Sequence, residues 1–76
     1  MKNLEIGLKY KHYKGHDYEV IGVARHSETL EEMVVYRALY NSPEFGKNFL
    51  WVRPKEMFLG NVIVGGIEVE RFKRID

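Results

Sequence analysis

The chain has 76 residues, enough for one small domain with one modest core; a domain of this size buries only about 60% of the surface its unfolded chain exposes. Its 45% hydrophobic content suits a globular chain rather than a disordered one, and the lack of cysteine excludes disulfides, thiolate metal sites and thiol catalysis. Twelve Lys and Arg against eleven Asp and Glu leave a net charge of +1, which argues against tight nucleic-acid binding by bulk charge alone.

The charge is unevenly placed along the chain. Lys9, Lys11 and Lys14 crowd the first strand-like stretch, Arg71, Lys73 and Arg74 crowd the tail, and Glu28, Glu31 and Glu32 gather at a central junction. The plainest reading is two solvated basic edges and an acidic loop. No apolar run approaches the ~20 residues of a membrane span, and residues 1–5 do not resemble the apolar core of a signal peptide. A cytoplasmic protein without membrane association is the expectation.

Residues 7–13 (Gly-Leu-Lys-Tyr-Lys-His-Tyr) alternate apolar and polar, the period of a half-buried strand. Residues 14–17 form a turn in which Gly15 is free to take positive φ, and residues 18–25 supply the β-branched and aromatic side chains of a second strand. With Gly15-His16 as a two-residue turn, Lys14 opposes Asp17 and the register follows. Leu8, Tyr10, His12, Glu19, Ile21 and Val23 then share the face expected to form the core, leaving Tyr18, Val20 and Gly22 on the other.

Residues 29–40 carry two competing patterns. Thr29 with Glu32 fits a helix capping box, and Leu30, Met33, Val34 and Ala38 fit a helical stripe. Against this, Val34-Val35-Tyr36 favour a pleated sheet, and Arg37 falls in the middle of the stripe. The strand, over residues 33–40, is the better fit. Paired with the second strand, it sets Tyr36 beside Val23, Ala38 beside Ile21 and Arg37 beside Gly22 on the outer face.

Ser42-Pro43 and Gly46 mark a loop, and residues 49–53 form a fourth strand ended by Pro54. Pro54 can open a helical turn through Lys55-Glu56-Met57-Phe58, with Met57 or Phe58 plugging one end of the core. Residues 61–70 are the clearest hairpin. A Gly65-Gly66 turn pairs Val64 with Ile67 and Val62 with Val69, with Ile63 and Glu68 on the opposite face. The sum is an all-β chain, a small and strongly bent antiparallel barrel with one short helical turn, and residues 1–76 form a single domain.

His12-Tyr13-Lys14-Gly15, Tyr18-Glu19-Val20, the run from Gly22-Val23-Ala24-Arg25 through His26-Ser27-Glu28-Thr29, Val34-Val35-Tyr36-Arg37-Ala38-Leu39-Tyr40 and Leu50-Trp51-Val52-Arg53-Pro54 together resemble the bacterial family catalogued as domain of unknown function 1653. The stretch from Ala24 to Thr29 is the most distinctive part. The resemblance implies a compact SH3-like β-barrel. It implies no reaction, ligand or catalytic residue.

Three constellations could carry chemistry. His12, His16 and His26 are the only histidines, but the hairpin register puts His12 beside Glu19 and His26 several residue spacings away along the strands, so no metal site or other cofactor is expected. His26, Ser27 and Glu28 superficially offer base, nucleophile and orienter. Neighbours on a strand face opposite ways, and no nucleophile elbow is present, so a turn that caps itself is the simpler reading and catalysis is not expected. Arg25 and Arg37 could each pair with Glu19, Glu28 or Glu32 and lock the strands together.

The third constellation is a binding surface. Tyr13, Tyr18, Tyr36, Tyr40 and Trp51 are interleaved with Lys9, Lys11, Arg25, Arg37 and Arg53, a mixture that can stack on bases or clamp a peptide. The competing explanation is that a small barrel needs its aromatics as core, and Trp51 is expected there with its indole N–H at the rim. The function expected is a binding module for a peptide, nucleic-acid or protein partner, with Arg25, His26, Glu28, Tyr36, Arg37, Trp51 and Arg53 as candidate ligand-binding residues. The alternative is a small enzyme or ligand-binding protein for a nucleotide-like or phosphorylated molecule, using Arg25, His26 and Glu28. A third reading makes the chain a subunit that completes a larger assembly.

Overall fold

A computed structural model describes residues 4–75. Within them run strands β1 (Lys9–His12), β2 (Asp17–Arg25), β3 (Glu32–Ala38) and β4 (Leu50–Pro54), the helical turn α1 (Lys55–Phe58), and strands β5 (Asn61–Val64), β6 (Ile67–Glu70) and β7 (Phe72–Arg74). The fold is all-β with one short helix. β4-β3-β2-β1-β7 form an antiparallel sheet, and β5-β6 form a separate ribbon. β4 and β7 are the sheet edges, and no strand pairing among the described residues joins them, so hydrogen bonds do not close a barrel. No helix of the described residues is long and apolar enough to cross a membrane.

Where local chemistry is decisive, the chain does what its residues dictate. Gly65 and Gly66 have φ of 56° and 80°, the left-handed pair that a two-residue hairpin turn demands. Val64 accordingly faces Ile67, Val62 faces Val69 and Ile63 faces Glu68. α1 starts after Pro54, whose φ of −51° is set by its ring. Phe58 rather than Met57 is the plug: Phe58 is 1% exposed, Met57 48%.

The first hairpin differs from the expected register. Its turn has three residues rather than two: the His12 N–H donates to the His16 carbonyl at 2.8 Å, and the Gly15 N–H donates to the His12 carbonyl at 2.8 Å. Gly15, with φ of 108°, is the last residue of that loop instead of the first of a tighter one. Tyr10 therefore faces Tyr18, and Lys9 faces Glu19. A slip by an odd number of residues exchanges the two faces of a strand. Tyr18 and Val20 join Tyr10 in the core, while Ile21 and Val23 are exposed.

β3 is a strand, antiparallel to β2, and the helical alternative over residues 29–38 does not form. Its register carries the same shift. Tyr36 faces Val20, Ala38 faces Tyr18, and Arg37 faces Glu19 rather than Gly22. Arg37 and Glu19 form an ion pair at 3.5 Å on the outer face, the strand-locking contact that an arginine at this position can make. The register shifts by one between Val20 and Gly22, a bulge that leaves Ile21 unpaired.

Phe58, Val20 and Val34 are the largest fully buried side chains. Phe58 stacks on Phe72 with ring centroids 4.0 Å apart and planes at 8°, while Tyr10 and Tyr36 meet Phe58 edge-on at 5.4 and 5.3 Å. Trp51 is not in this core. It is 38% exposed on edge strand β4, packed against Phe49 at 5.2 Å and Phe45 at 5.6 Å.

Candidate functional site

The inner face of the five-stranded sheet is filled around Phe58 and open at its other end. There lies a cleft of ≈ 400 Å³, with His12, Tyr18, Tyr36, Trp51, Arg53 and Phe72 in its wall. Lys14 and His16, from the β1–β2 turn, border it. Strand alternation brings these groups together. Trp51 and Arg53 are two apart on β4, so both project to one face, opposite Tyr36 and Val34 of β3. His12 of β1 lies opposite Phe72 of β7, with ring centroids 4.8 Å apart. Every strand of the sheet thus contributes a ring or a cation.

The site is electrostatically one-sided. No carboxylate lines the cleft among the described residues. Arg53 places its guanidinium carbon 5.4 Å from the Phe72 ring centroid. Its Nη1, and Nε of Arg71, are buried with no hydrogen-bond partner among the described residues. Buried N–H groups are costly to leave unpaired, and Arg53, which also hydrogen-bonds the Tyr36 side chain, is the one of the two arginines that lies in the cleft wall.

Neighbouring groups answer to this field. Burial, followed by the charges of Arg53, Arg71, Lys14 and His16, lowers the His12 imidazole to about 4. Its Nδ1 accepts the Lys14 backbone N–H at 3.2 Å, which requires a free lone pair there. His12 is therefore neutral near pH 7, and so weak a base contributes little to general-base chemistry. Burial raises the Tyr18 phenol, helped by its hydroxyl contact with Tyr40 at 3.2 Å. Burial also raises Tyr36, with Arg53 pulling the other way. Near pH 7 the cleft is a set of neutral aromatic groups around fixed positive charge, suited to holding an anion against flat rings.

Of the residues singled out in the sequence as a binding surface, the cleft gathers Tyr18, Tyr36, Trp51 and Arg53. Arg37 is on the outer face with Glu19. Arg25, His26 and Glu28 lie at the far end of β2, seven residues from Tyr18, or roughly 20–25 Å along the strand. They build a turn. His26 Nδ1 accepts the backbone N–H groups of Glu28 at 3.1 Å and Thr29 at 3.3 Å, and the Ser27 hydroxyl donates to the Glu28 carboxylate. Thr29 Oγ1 accepts the Glu31 N–H at 3.2 Å, and Arg25 Nη1 donates to the Leu30 carbonyl at 3.0 Å. The most distinctive run of the sequence is thus tied up in its own backbone. Among the described residues no group of three or more His, Asp or Glu side chains is placed to hold a metal.

His12, Lys14, His16 and Phe72 were not among the sequence candidates. Their signal was present but split: the two basic clusters near residues 9–14 and 71–74 come from neighbouring strands, since Lys11 faces Lys73 and His12 faces Phe72.

The family model described as "Protein of unknown function (DUF1653)" matches residues 8–74. A solved structure of a DUF1653 protein from Bordetella bronchiseptica superposes with a TM-score of 0.80 at 33% identity, covering 99% of this chain and 91% of that one. No curated protein matches. A match over nearly the whole length, together with a shared fold at this identity, settles the relationship: the chain belongs to the DUF1653 family of proteins of unknown function.

Proposed function

We propose that this protein is a binding module that grips an anionic segment of a partner in the cleft between β4 and β7. The observation that carries this reading is Arg53, a wall residue of the cleft whose Nη1 has no hydrogen-bond partner among the described residues, in a site that no carboxylate of the described residues lines. An arginine kept half-buried with no counter-ion among the described residues is expensive for a small domain, and an incoming phosphate or carboxylate supplies that counter-charge. The exposed Trp51 beside it adds a flat apolar surface of the kind that binding sites use.

The same reading favours an SH3-like arrangement, half-open rather than closed. Arg53 of one edge strand reaches Phe72 of the other, so the sheet curls strongly, and Phe58 plugs one end. Small curled sheets of this kind offer their open side as a groove.

Amide and side-chain NMR shift mapping of the whole chain tests the proposal, with an acidic hexapeptide, a single-stranded hexanucleotide and inorganic pyrophosphate as separate probes. At least one should shift His12, Arg53, Phe72 and the Trp51 indole, and added salt should weaken the effect. Shifts confined to residues 24–31, or none with any probe, would overturn the reading.

A further inference from the structure

We infer that the cleft is a subsite for one nucleoside monophosphate unit, its phosphate held at Arg53 and its base laid against Trp51. This rests on the binding-module reading and narrows it to a ligand class. Three observations favour a nucleotide over a bare anion or an acidic peptide.

The first is the juxtaposition of charge and ring on one strand. Arg53 and Trp51 are two residues apart on β4 and project to the same face, which separates their Cα atoms by about 7 Å. That spacing suits a ligand whose anionic and planar parts are joined by a single sugar. An acidic peptide has the anion without the plane. The second is the state of the tryptophan. Phe45 and Phe49 meet the Trp51 ring at 83° and 77°, bracing the indole while 38% of the residue stays exposed. An exposed, braced aromatic beside a cation is how single bases are held without sequence readout.

The third is scale. A volume of ≈ 400 Å³ lies at the small end of the ~300–1,000 Å³ typical of small-molecule sites, room for one such unit and not several. The charge is equally local. Arg53, Lys14 and nearby Arg71 surround the cleft, yet the whole chain carries only +1, which is too little for a long phosphate track. A free nucleotide and one nucleotide of a single strand present the same chemistry to this site.

Trp51 is the sole tryptophan, so its emission reports on this cleft alone. The full chain is titrated with adenosine 5′-monophosphate, adenosine, inorganic phosphate, a single-stranded hexanucleotide and hexaglutamate, following Trp51 fluorescence and the His12 ring shifts. The monophosphate should quench Trp51 and move the His12 resonances, and should bind at least tenfold more tightly than adenosine or phosphate. Arg53→Met should weaken it at least tenfold, and Trp51→Ala, read by NMR, by a similar factor. A hexanucleotide tenfold tighter than the monophosphate assigns the unit to a strand; equal or weaker affinity assigns it to a free nucleotide. If phosphate binds as well as the monophosphate, or hexaglutamate binds and the monophosphate does not, the nucleotide inference fails while the anion-binding reading stands. If no probe binds, both fail.

Discussion

Arg53 on β4 and Phe72 on β7 lie at opposite edges of a five-stranded sheet, yet the guanidinium carbon is 5.4 Å from the ring centroid. In a flat sheet those edges would be four strand spacings apart, about 19 Å, beyond the combined reach of the two side chains. The sheet must therefore curl, and a cation–π contact spans the gap that no backbone ladder among the described residues closes. One residue both helps to shape the cleft and supplies its charge.

These two roles respond differently to substitution. A half-buried guanidinium with an unpaired Nη1 is a poor source of stability, and an apolar side chain of similar length relieves that cost. Arg53→Met should hold stability within about 1 kcal/mol of the parent, or raise it, while Arg53→Ala should lose about 1–2 kcal/mol with the packing on Phe72. Urea unfolding of both variants measures this. A loss in Arg53→Met as large as in Arg53→Ala would show that the charge itself holds the sheet edges together.

Phe58 and Trp51 make a second contrast by magnitude. Phe58 is 1% exposed at the centre of the aromatic core, and Phe58→Ala should cost about 3–5 kcal/mol. A small domain has only about 5 kcal/mol in total, so this variant should be largely unfolded. Trp51, at 38% exposure on an edge strand, should cost only about 1–2 kcal/mol when cut to Ala. Circular dichroism and thermal melting separate the two; comparable losses would place Trp51 in the core after all.

Element identity was legible in the sequence where one turn chemistry had one solution. Gly65-Gly66 admits only a two-residue hairpin, so every pair of β5–β6 was readable. Gly15 had two solutions, first residue of a two-residue turn or last of a three-residue loop, and the choice reverses which face of β2 is buried. That single ambiguity moved Tyr18 and Val20 to the wrong side and placed Arg37 beside the wrong neighbour. Half of the cleft was legible because Tyr36, Trp51 and Arg53 come from adjacent strands. His12 and Phe72 meet only through the β1–β7 pairing, a contact sixty residues apart in sequence for which no local pattern speaks.

Leu30 occupies the left-handed region, with φ of 63°, although it is a bulky and 63% exposed residue. Its backbone explains why: its N–H donates to the His26 carbonyl at 2.8 Å, and its carbonyl accepts from Arg25. The turn needs this conformation, not this side chain. Leu30→Asn should therefore stabilise the domain by about 0.5–1 kcal/mol, since Asn tolerates the left-handed region, whereas Leu30→Val should destabilise it. Chemical denaturation decides the matter. If Leu30→Asn is destabilising, the exposed leucine makes a contribution that its backbone angles do not reveal.

His12 gives the domain a pH dependence of defined sign. Its imidazole is lowered from an ordinary value of 6.5 to about 4 by burial and then by Arg53, Arg71, Lys14 and His16. Between those two values the unfolded chain binds the proton and the folded chain does not, so stability is complete above 6.5 and falls as pH drops towards about 4. The ring is only partly buried and solvent screens it, which limits the effect to about 1 kcal/mol. Ion-paired carboxylates in general lose stability in the same direction, so the parent curve alone is not diagnostic. His12→Gln, which is neutral at every pH, should flatten the slope between pH 6.5 and pH 4, and the His12 ring protons of the parent should titrate well below 6.5. An anion seated at Arg53 should offset the cations around the imidazole and raise that midpoint. A His12 that titrates near 6.5 without any ligand would mean that neither its burial nor the guanidinium field in the cleft acts on it as the geometry requires.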